Sequence, residues 1–311
     1  MISSKDVYHV VAATIPFPLY VAMILAYTSV KWWKLFTPEQ CGGINKFVAK
    51  FSIPLLSFNI ISANNPYNMS PRLLLSDFVQ KLLAIVLIGV VTRFWFRGWR
   101  LSLVITGLSL STLPNTLIIG VPVLKAMYGG KAESLLSQIV FLQSIVWYNF
   151  LLFLFEVNAA MDATANPSPE VAALFATIFV CRWGLKLPVV IDNSIMILAT
   201  GGLGMAMFSL GLFMASRATA TACRIRMVDV AAMAMKFVAG PALMALSSVV
   251  VGLRGTVLRV AIVQAALPQG IVPFVFAKEY NVHPDVLSTS VIIGMLIGLP
   301  ISLAYYSLLA L

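Results

Sequence analysis

Apolar residues in this chain run in blocks long enough to cross hydrocarbon, about 20 residues each, separated by short polar stretches. The blocks predict ten helices, over 7–31, 45–64, 73–96, 100–127, 134–156, 171–188, 190–216, 227–251, 255–279 and 285–310. The sixth is the shortest, because its apolar run from Val171 to about Cys181 meets Arg182 and Lys186. In the first, Ile15-Pro16-Phe17-Pro18 predicts a kink or an unwound turn. That block is long and lacks a small-residue cleavage site behind it, so it reads as a retained helix.

An internal repeat organises these blocks. Leu113-Pro114-Asn115 in the fourth returns as Leu267-Pro268-Gln269 in the ninth, an offset of 154 residues, and Arg100 precedes the first as Arg254 precedes the second. Tyr128 and Tyr280, and Leu56-Ser57 and Phe208-Ser209, match at 152, and Lys81 and Lys236 at 155. Five helices per repeat is an odd number, so the second copy enters the membrane from the opposite side. The expectation is an all-α polytopic membrane protein with two inverted five-helix repeats, 1–156 and 171–311, joined by a short connection, 157–170.

Charge sets the orientation. Only 10% of the 311 residues are charged, against about 25% in a soluble domain. The net charge of +10 is spread over short loops, which argues against a nucleic-acid groove. Clusters at Lys31/Lys34, Arg93/Arg97/Arg100 and Arg217/Arg224/Arg226 mark one face as cytosolic, which places both termini in the lumen or exterior. Lys5, Arg72, Lys131, Arg182, Lys186 and Arg254 are thinly distributed on the other side. Cys41, Cys181 and Cys223 form no CxxC, and His9 and His283 have no metal-ligand spacing, so neither a disulfide framework, a metal site nor a cofactor is expected. HExxH and paired membrane aspartates are both missing, so an intramembrane enzyme is not expected.

The prolines locate the chemistry. Pro114 and Pro122 surround Asn115, Thr116 and Gly120, and Pro268 and Pro273 surround Gln269 and Gly270. Proline inside a spanning helix frees backbone groups, which hydrocarbon tolerates only beside protein or a water-filled cavity. Two broken helices at equivalent repeat positions would cross near the midplane and aim two helix N-termini at one site. Such a site suits an anion, with Asn115 and Gln269 donating amide hydrogens. Ser57 in the second helix and Gln143, Trp147, Tyr148 and Asn149 in the fifth are expected to line the same cavity, a pocket for a flat ligand with one polar end. The expected substrate-binding set is Ser57, Pro114, Asn115, Gln143, Tyr148, Pro268, Gln269 and Val272. Asp77 and Lys81, four apart, are expected to form a supporting ion pair inside the membrane. Small-residue runs at Gly201-Gly202-Leu203-Gly204 and from Gly294 to Gly298 read as packing or a dimer face.

Several of these stretches resemble the plant PIN-FORMED auxin carriers: Pro38-Glu39-Gln40-Cys41 through Ile61, Asn64-Asn65-Pro66-Tyr67, Thr106 through Gly120, Gly201 through Ser216, and Gln264-Ala265-Ala266-Leu267-Pro268-Gln269-Gly270 through Tyr280. The resemblance implies export of indole-3-acetate by an elevator-like motion of a transport domain against a scaffold, in a homodimer. It also implies transport without a coupling ion, with Asp77 and Lys81 in the region where related bile-acid carriers hold sodium. The short connection resembles the short-loop subgroup, which resides mainly in the endoplasmic reticulum, with the plasma membrane as the alternative. The alternative is a sodium- or proton-coupled organic-anion symporter of the same fold. The sequence departs from the family pattern at Pro16 to Pro18, in the connection after Glu156 and in the sixth helix.

Overall fold

The computed structural model describes residues 16–52, 55, 69–95, 100–161, 189–217 and 227–310. Ser57, the start of the first expected helix and the whole of the sixth lie outside them. The described residues are almost entirely helical. Among the described residues four stretches are long and apolar enough to cross a membrane: Pro71–Phe94, Gly130–Met161, Met227–Val251 and Pro284–Leu309.

In chain order the helices are α1 (Pro16–Lys31), α2 (Pro38–Phe47, continued by a π-turn Val48–Ser52), α3 (Pro71–Trp95), α4 (Leu101–Thr112) and α5 (Val121–Tyr128). A π-turn, Thr116–Gly120, leads into α5. Next come α6 (Gly130–Leu142) and α7 (Tyr148–Met161), one rod joined through a π-turn at Gln143–Trp147. They are followed by α8 (Val189–Arg217), then α9 (Met227–Ala234) and α10 (Gly240–Val251) around a fourth described π-turn, Met235–Ala239. The last are α11 (Gly255–Ala265), α12 (Ile271–Glu279) and α13 (Pro284–Ala310).

Proline placement explains two starts. Pro71 and Pro284 fall in the first turn of α3 and α13, where no intrahelical N–H is needed, and open both helices. The described part of α1 begins at Pro16, so the expected kink at Pro16 to Pro18 lies at its edge. The expected fifth helix, 134–156, is longer at both ends. It starts at Gly130, and the charged residues of its first turns remain helical, with Glu133 Oε2 2.8 Å from Lys125 Nζ.

Two groups of helices emerge. Helices α1, α2 and α8 pack together, and Gly211 of α8 lies so close to the Met23 carbonyl that a Cβ there would collide with backbone. Phe36 meets the Phe208 ring edge-on at 6.0 Å in the same group. In the other, α3 lies along α10. Ser76 Oγ is 2.9 Å from Ser248 Oγ, and Gln80 Nε2 donates to Gly240 O at 3.1 Å. The outward side of α3 presents Leu82, Val86 and Val90, an apolar face suited to lipid. Helix α12 links the groups: Phe274 meets Phe213 of α8 at 5.4 Å, and Lys278 Nζ stands 4.8 Å over the Phe213 ring.

Candidate binding site at the crossing of two broken helices

Helix α4 ends at Thr112 because Leu113 precedes a proline, which pushes it out of helical geometry (φ −111°, ψ 78°). Helix α11 ends at Ala265, ahead of Pro268, and Gly270 is extended at φ −66°, ψ 143°. The two irregular stretches meet antiparallel, Pro114 opposite Gln269. Asn115 N donates to Pro268 O at 2.8 Å and Gly270 N to Leu113 O at 2.9 Å. Each break thus satisfies backbone groups of the other, as hydrocarbon surroundings demand. Close packing supports the exchange: a Cβ on Gly298 would lie 2.5 Å from Pro268 Cγ, so the small residues of α13 make room for the second break.

Around this crossing a polar network is buried. Thr116 Oγ1 donates to Gln143 Oε1 at 3.1 Å and accepts from Gln264 Nε2 at 3.2 Å. Gln143 Nε2 donates to Pro114 O at 3.0 Å and to Tyr148 Oη at 2.7 Å. Tyr148 meets the Phe276 ring edge-on at 6.4 Å. Val272, in the first turn of α12, is half-buried. The structure therefore brings Pro114, Asn115, Gln143, Tyr148, Pro268 and Gln269 together, with Val272 at the start of the second half-helix.

Three buried atoms here have no hydrogen-bond partner: Asn115 Nδ2, Gln264 Oε1 and Gln269 Oε1. Buried polar groups are nearly always paired, so unpartnered ones converging at one place point to a guest. One is a donor and two are acceptors, a complement to a ligand with an anionic group and an N–H. Gln269 departs from expectation in detail. Its Nε2 donates to Ser109 O at 2.9 Å, and the atom left over is its carbonyl oxygen. The N-terminal ends of the Thr116–Gly120 turn and of α12 both begin at the crossing, adding positive dipole ends.

Asp77 and Lys81 form the expected ion pair, with both side chains almost fully buried. Trp147 Nε1 donates to Asp77 Oδ2 at 2.8 Å, and Lys81 Nζ lies 5.2 Å from the Trp147 ring centre. Trp147 thus belongs to this pair and does not join the polar network at the crossing. Asn149 does not join it either, because its Nδ2 turns back to the Ser144 and Ile145 carbonyls. The π-turn Gln143–Trp147 couples the two places, carrying Gln143 to the crossing and Trp147 to the ion pair. π-Bulges concentrate at functional sites for this reason: one extra residue re-aims two side chains. Gln264 was not among the residues expected to bind. Its only signal was a lone amide in an apolar half-helix four residues before Pro268.

A crossing of this kind, held between apolar spans, defines a membrane transport protein, and the chain matches the family of that description over residues 11–172 and 165–306. Within it the chain belongs to the auxin efflux carriers. It is 51% identical to auxin efflux carrier component 8 of Arabidopsis thaliana over 368 aligned positions, covering 99% of this chain and all of the relative. It is 40% identical to probable auxin efflux carrier component 5a of Oryza sativa subsp. japonica over 364 positions, covering 100% and 99%. With probable component 1b of the same species the identity is 32% over 558 positions, covering 100% of both. The two family stretches meet at 165–172, where the sequence predicts the end of the connection between repeats.

Proposed function

We propose that this protein carries the auxin anion indole-3-acetate across a membrane by elevator-like alternating access, without a coupling ion. The observation that carries the reading is the Asn115 amide, 5% exposed and unpartnered, at the point where two broken helices cross. A carboxylate there gains a donor and two helix N-termini, while the acceptors at Gln264 and Gln269 suit a ring N–H. The relatives, named as auxin efflux carriers, supply the substrate class. Ten spans in two inverted repeats give the transport frame, with α1, α2 and α8 in the scaffold and the crossed helices in the moving part, in a homodimer.

Reconstituted vesicles test the function. Labelled indole-3-acetate is expected to equilibrate through the protein with neither sodium nor an imposed proton gradient. Flux that vanishes whenever sodium is removed, or whenever the proton gradient is collapsed, assigns the protein to the coupled symporters instead.

Orientation follows from charge, with support from packing. Thr106 Oγ1 and His283 Nδ1 are 2.9 Å apart, and Tyr280 donates to Glu156, so the start of α4 and the ends of α7 and α12 share one face. At the opposite end Tyr128 meets Tyr306 edge-on at 5.1 Å. The face with Arg100 is read as cytosolic, in the endoplasmic reticulum by analogy with the short-loop subgroup, and both termini are lumenal. A tag after Leu311 in sealed microsomes is expected to resist protease until detergent is added, while a tag within 162–167 is cut at once. Swapped results mean that the orientation is inverted.

A further inference from the structure

The two repeats treat their matching lysines differently. Lys81 in α3 has Asp77 four residues earlier and the Trp147 ring beside it. At the same offset of 155 residues, Lys236 takes the place of Lys81, Ala232 that of Asp77 and Ser302 that of Trp147. Ala232 has nothing to offer an ammonium group. The Ser302 hydroxyl donates to Gly298 O at 2.7 Å, with Ala266 O at 3.4 Å. Lys236 is 0% exposed, and its Nζ has no hydrogen-bond partner. Gln80, next to Lys81, donates to Gly240 O at 3.1 Å, one turn after Lys236, so the two lysines sit on neighbouring stretches of packed helices.

Placement gives this lysine a role. It lies in the π-turn Met235–Ala239, one turn before Gly240. Gly240 packs against the Ser111 carbonyl, and a Cβ on it would stand 3.7 Å from Ala265 O. Gly240 therefore touches the last turns of both α4 and α11, the two half-helices that enter the crossing. Phe237 reaches the same place: a Cβ on Gly294 would be 3.9 Å from its Cζ and 3.6 Å from Gln269 N. Among the described charged groups of the packed elements, Asp77 and Lys81 cancel, and α4 carries none between its ends. Asp229, on Lys236's own rod, lies seven residues earlier, roughly 10 Å along the axis, and does not pair with the Lys236 ammonium. Lys236 is thus left with no acid in contact, one turn before the residue that touches both half-helices.

We infer that Lys236 supplies the positive charge that offsets the carboxylate of the bound anion, acting through space as the counter-charge that the second repeat lacks. The acid that neutralises Lys81 is part of the protein, and the acid that neutralises Lys236 is the cargo. This rests on the crossing being the binding site of an organic anion, as proposed above. It adds selection for the ionised form: a neutral amide of the same shape gains nothing from Lys236. A charge about 10 Å away at an effective dielectric of about 20 is worth on the order of tenfold in affinity.

Binding of indole-3-acetate and of the neutral indole-3-acetamide, measured on purified protein, tests this. In Lys236→Met the carboxylate is expected to bind about tenfold more weakly with the amide unchanged, and in Lys236→Arg its binding is restored. A second variant, Ala232→Asp, rebuilds the acid of the first repeat and is expected to weaken carboxylate binding to a similar degree, so the test survives a poorly folded Lys236→Met. Unchanged carboxylate affinity in both Lys236→Met and Ala232→Asp overturns the inference. So does an equal loss for carboxylate and amide, which marks a structural role. If the native protein binds neither compound, the proposed function falls and this inference with it. Carboxylate binding in the native protein with no response to either variant defeats this inference and leaves the proposed function standing.

Discussion

Removing the Asp77 charge by Asp77→Asn is expected to destabilise the folded protein by about 3–5 kcal/mol, the cost of leaving one partner of a buried pair uncompensated. The structure also orders the variants. Asp77→Asn leaves two buried ammonium groups, Lys81 and Lys236, with no acid between them and takes the charged acceptor from Trp147 Nε1. Lys81→Met leaves the carboxylate alone, but that carboxylate keeps the Trp147 hydrogen bond, and Lys236 remains nearby as a positive charge. The loss is therefore smaller. Asp77→Asn combined with Lys81→Met leaves neither charge and is expected to be the mildest of the three, because neutral groups of similar shape replace a costly pair. Denaturation midpoints of the solubilised protein check the order, and flux in vesicles is expected to follow it. A double variant as unstable as Asp77→Asn would mean that the pair acts through its shape and hydrogen bonds, with its charge irrelevant.

The crossing was legible because proline acts locally. A missing N–H and a constrained preceding residue break a helix wherever they occur, so Pro114 and Pro268 announced both breaks, and their offset announced that the breaks meet. Asp77 and Lys81 were legible for a similar reason, since an i,i+4 spacing alone puts them on one face. The side chains that settle around the breaks were harder to read. Gln269 was expected to donate to a ligand, yet its amide is held by Ser109 O, an acceptor 160 residues earlier in the chain. Asn149 was expected in the cavity, yet the π-turn before it exposes the Ser144 and Ile145 carbonyls, and its amide folds back onto them. Hydropathy cannot show a π-turn, because one extra residue per turn leaves composition unchanged. The same turn moved Trp147 from the expected cavity to Asp77. Helix ends went astray where charge was taken as a boundary: the rod at Gly130 includes Lys131 and Glu133, whose long side chains keep their charges outward while the backbone stays helical.

Replacing Asn115 by alanine is expected to weaken indole-3-acetate binding about 10- to 150-fold, the worth of one hydrogen bond to a charged group, roughly 1.5–3 kcal/mol. What makes the variant informative is how little else it disturbs. The pairing of the two breaks runs through the Asn115 backbone, whose N–H donates to Pro268 O at 2.8 Å and survives the change. Asn115 stands at the start of the Thr116–Gly120 turn but makes no side-chain capping bond there. Its Nδ2 has no protein partner, so truncation leaves no buried group newly stranded. The folded protein is therefore expected to melt within a few degrees of the native one while its affinity collapses. Gln269→Ala makes the contrast, because losing Nε2 releases Ser109 O inside the membrane and should lower both stability and affinity. Affinities and melting points measured on the same preparations separate the two. Native affinity in a well-folded Asn115→Ala protein removes Asn115 from the site. A large fall in its melting point shows instead that the amide holds the crossing together rather than the anion.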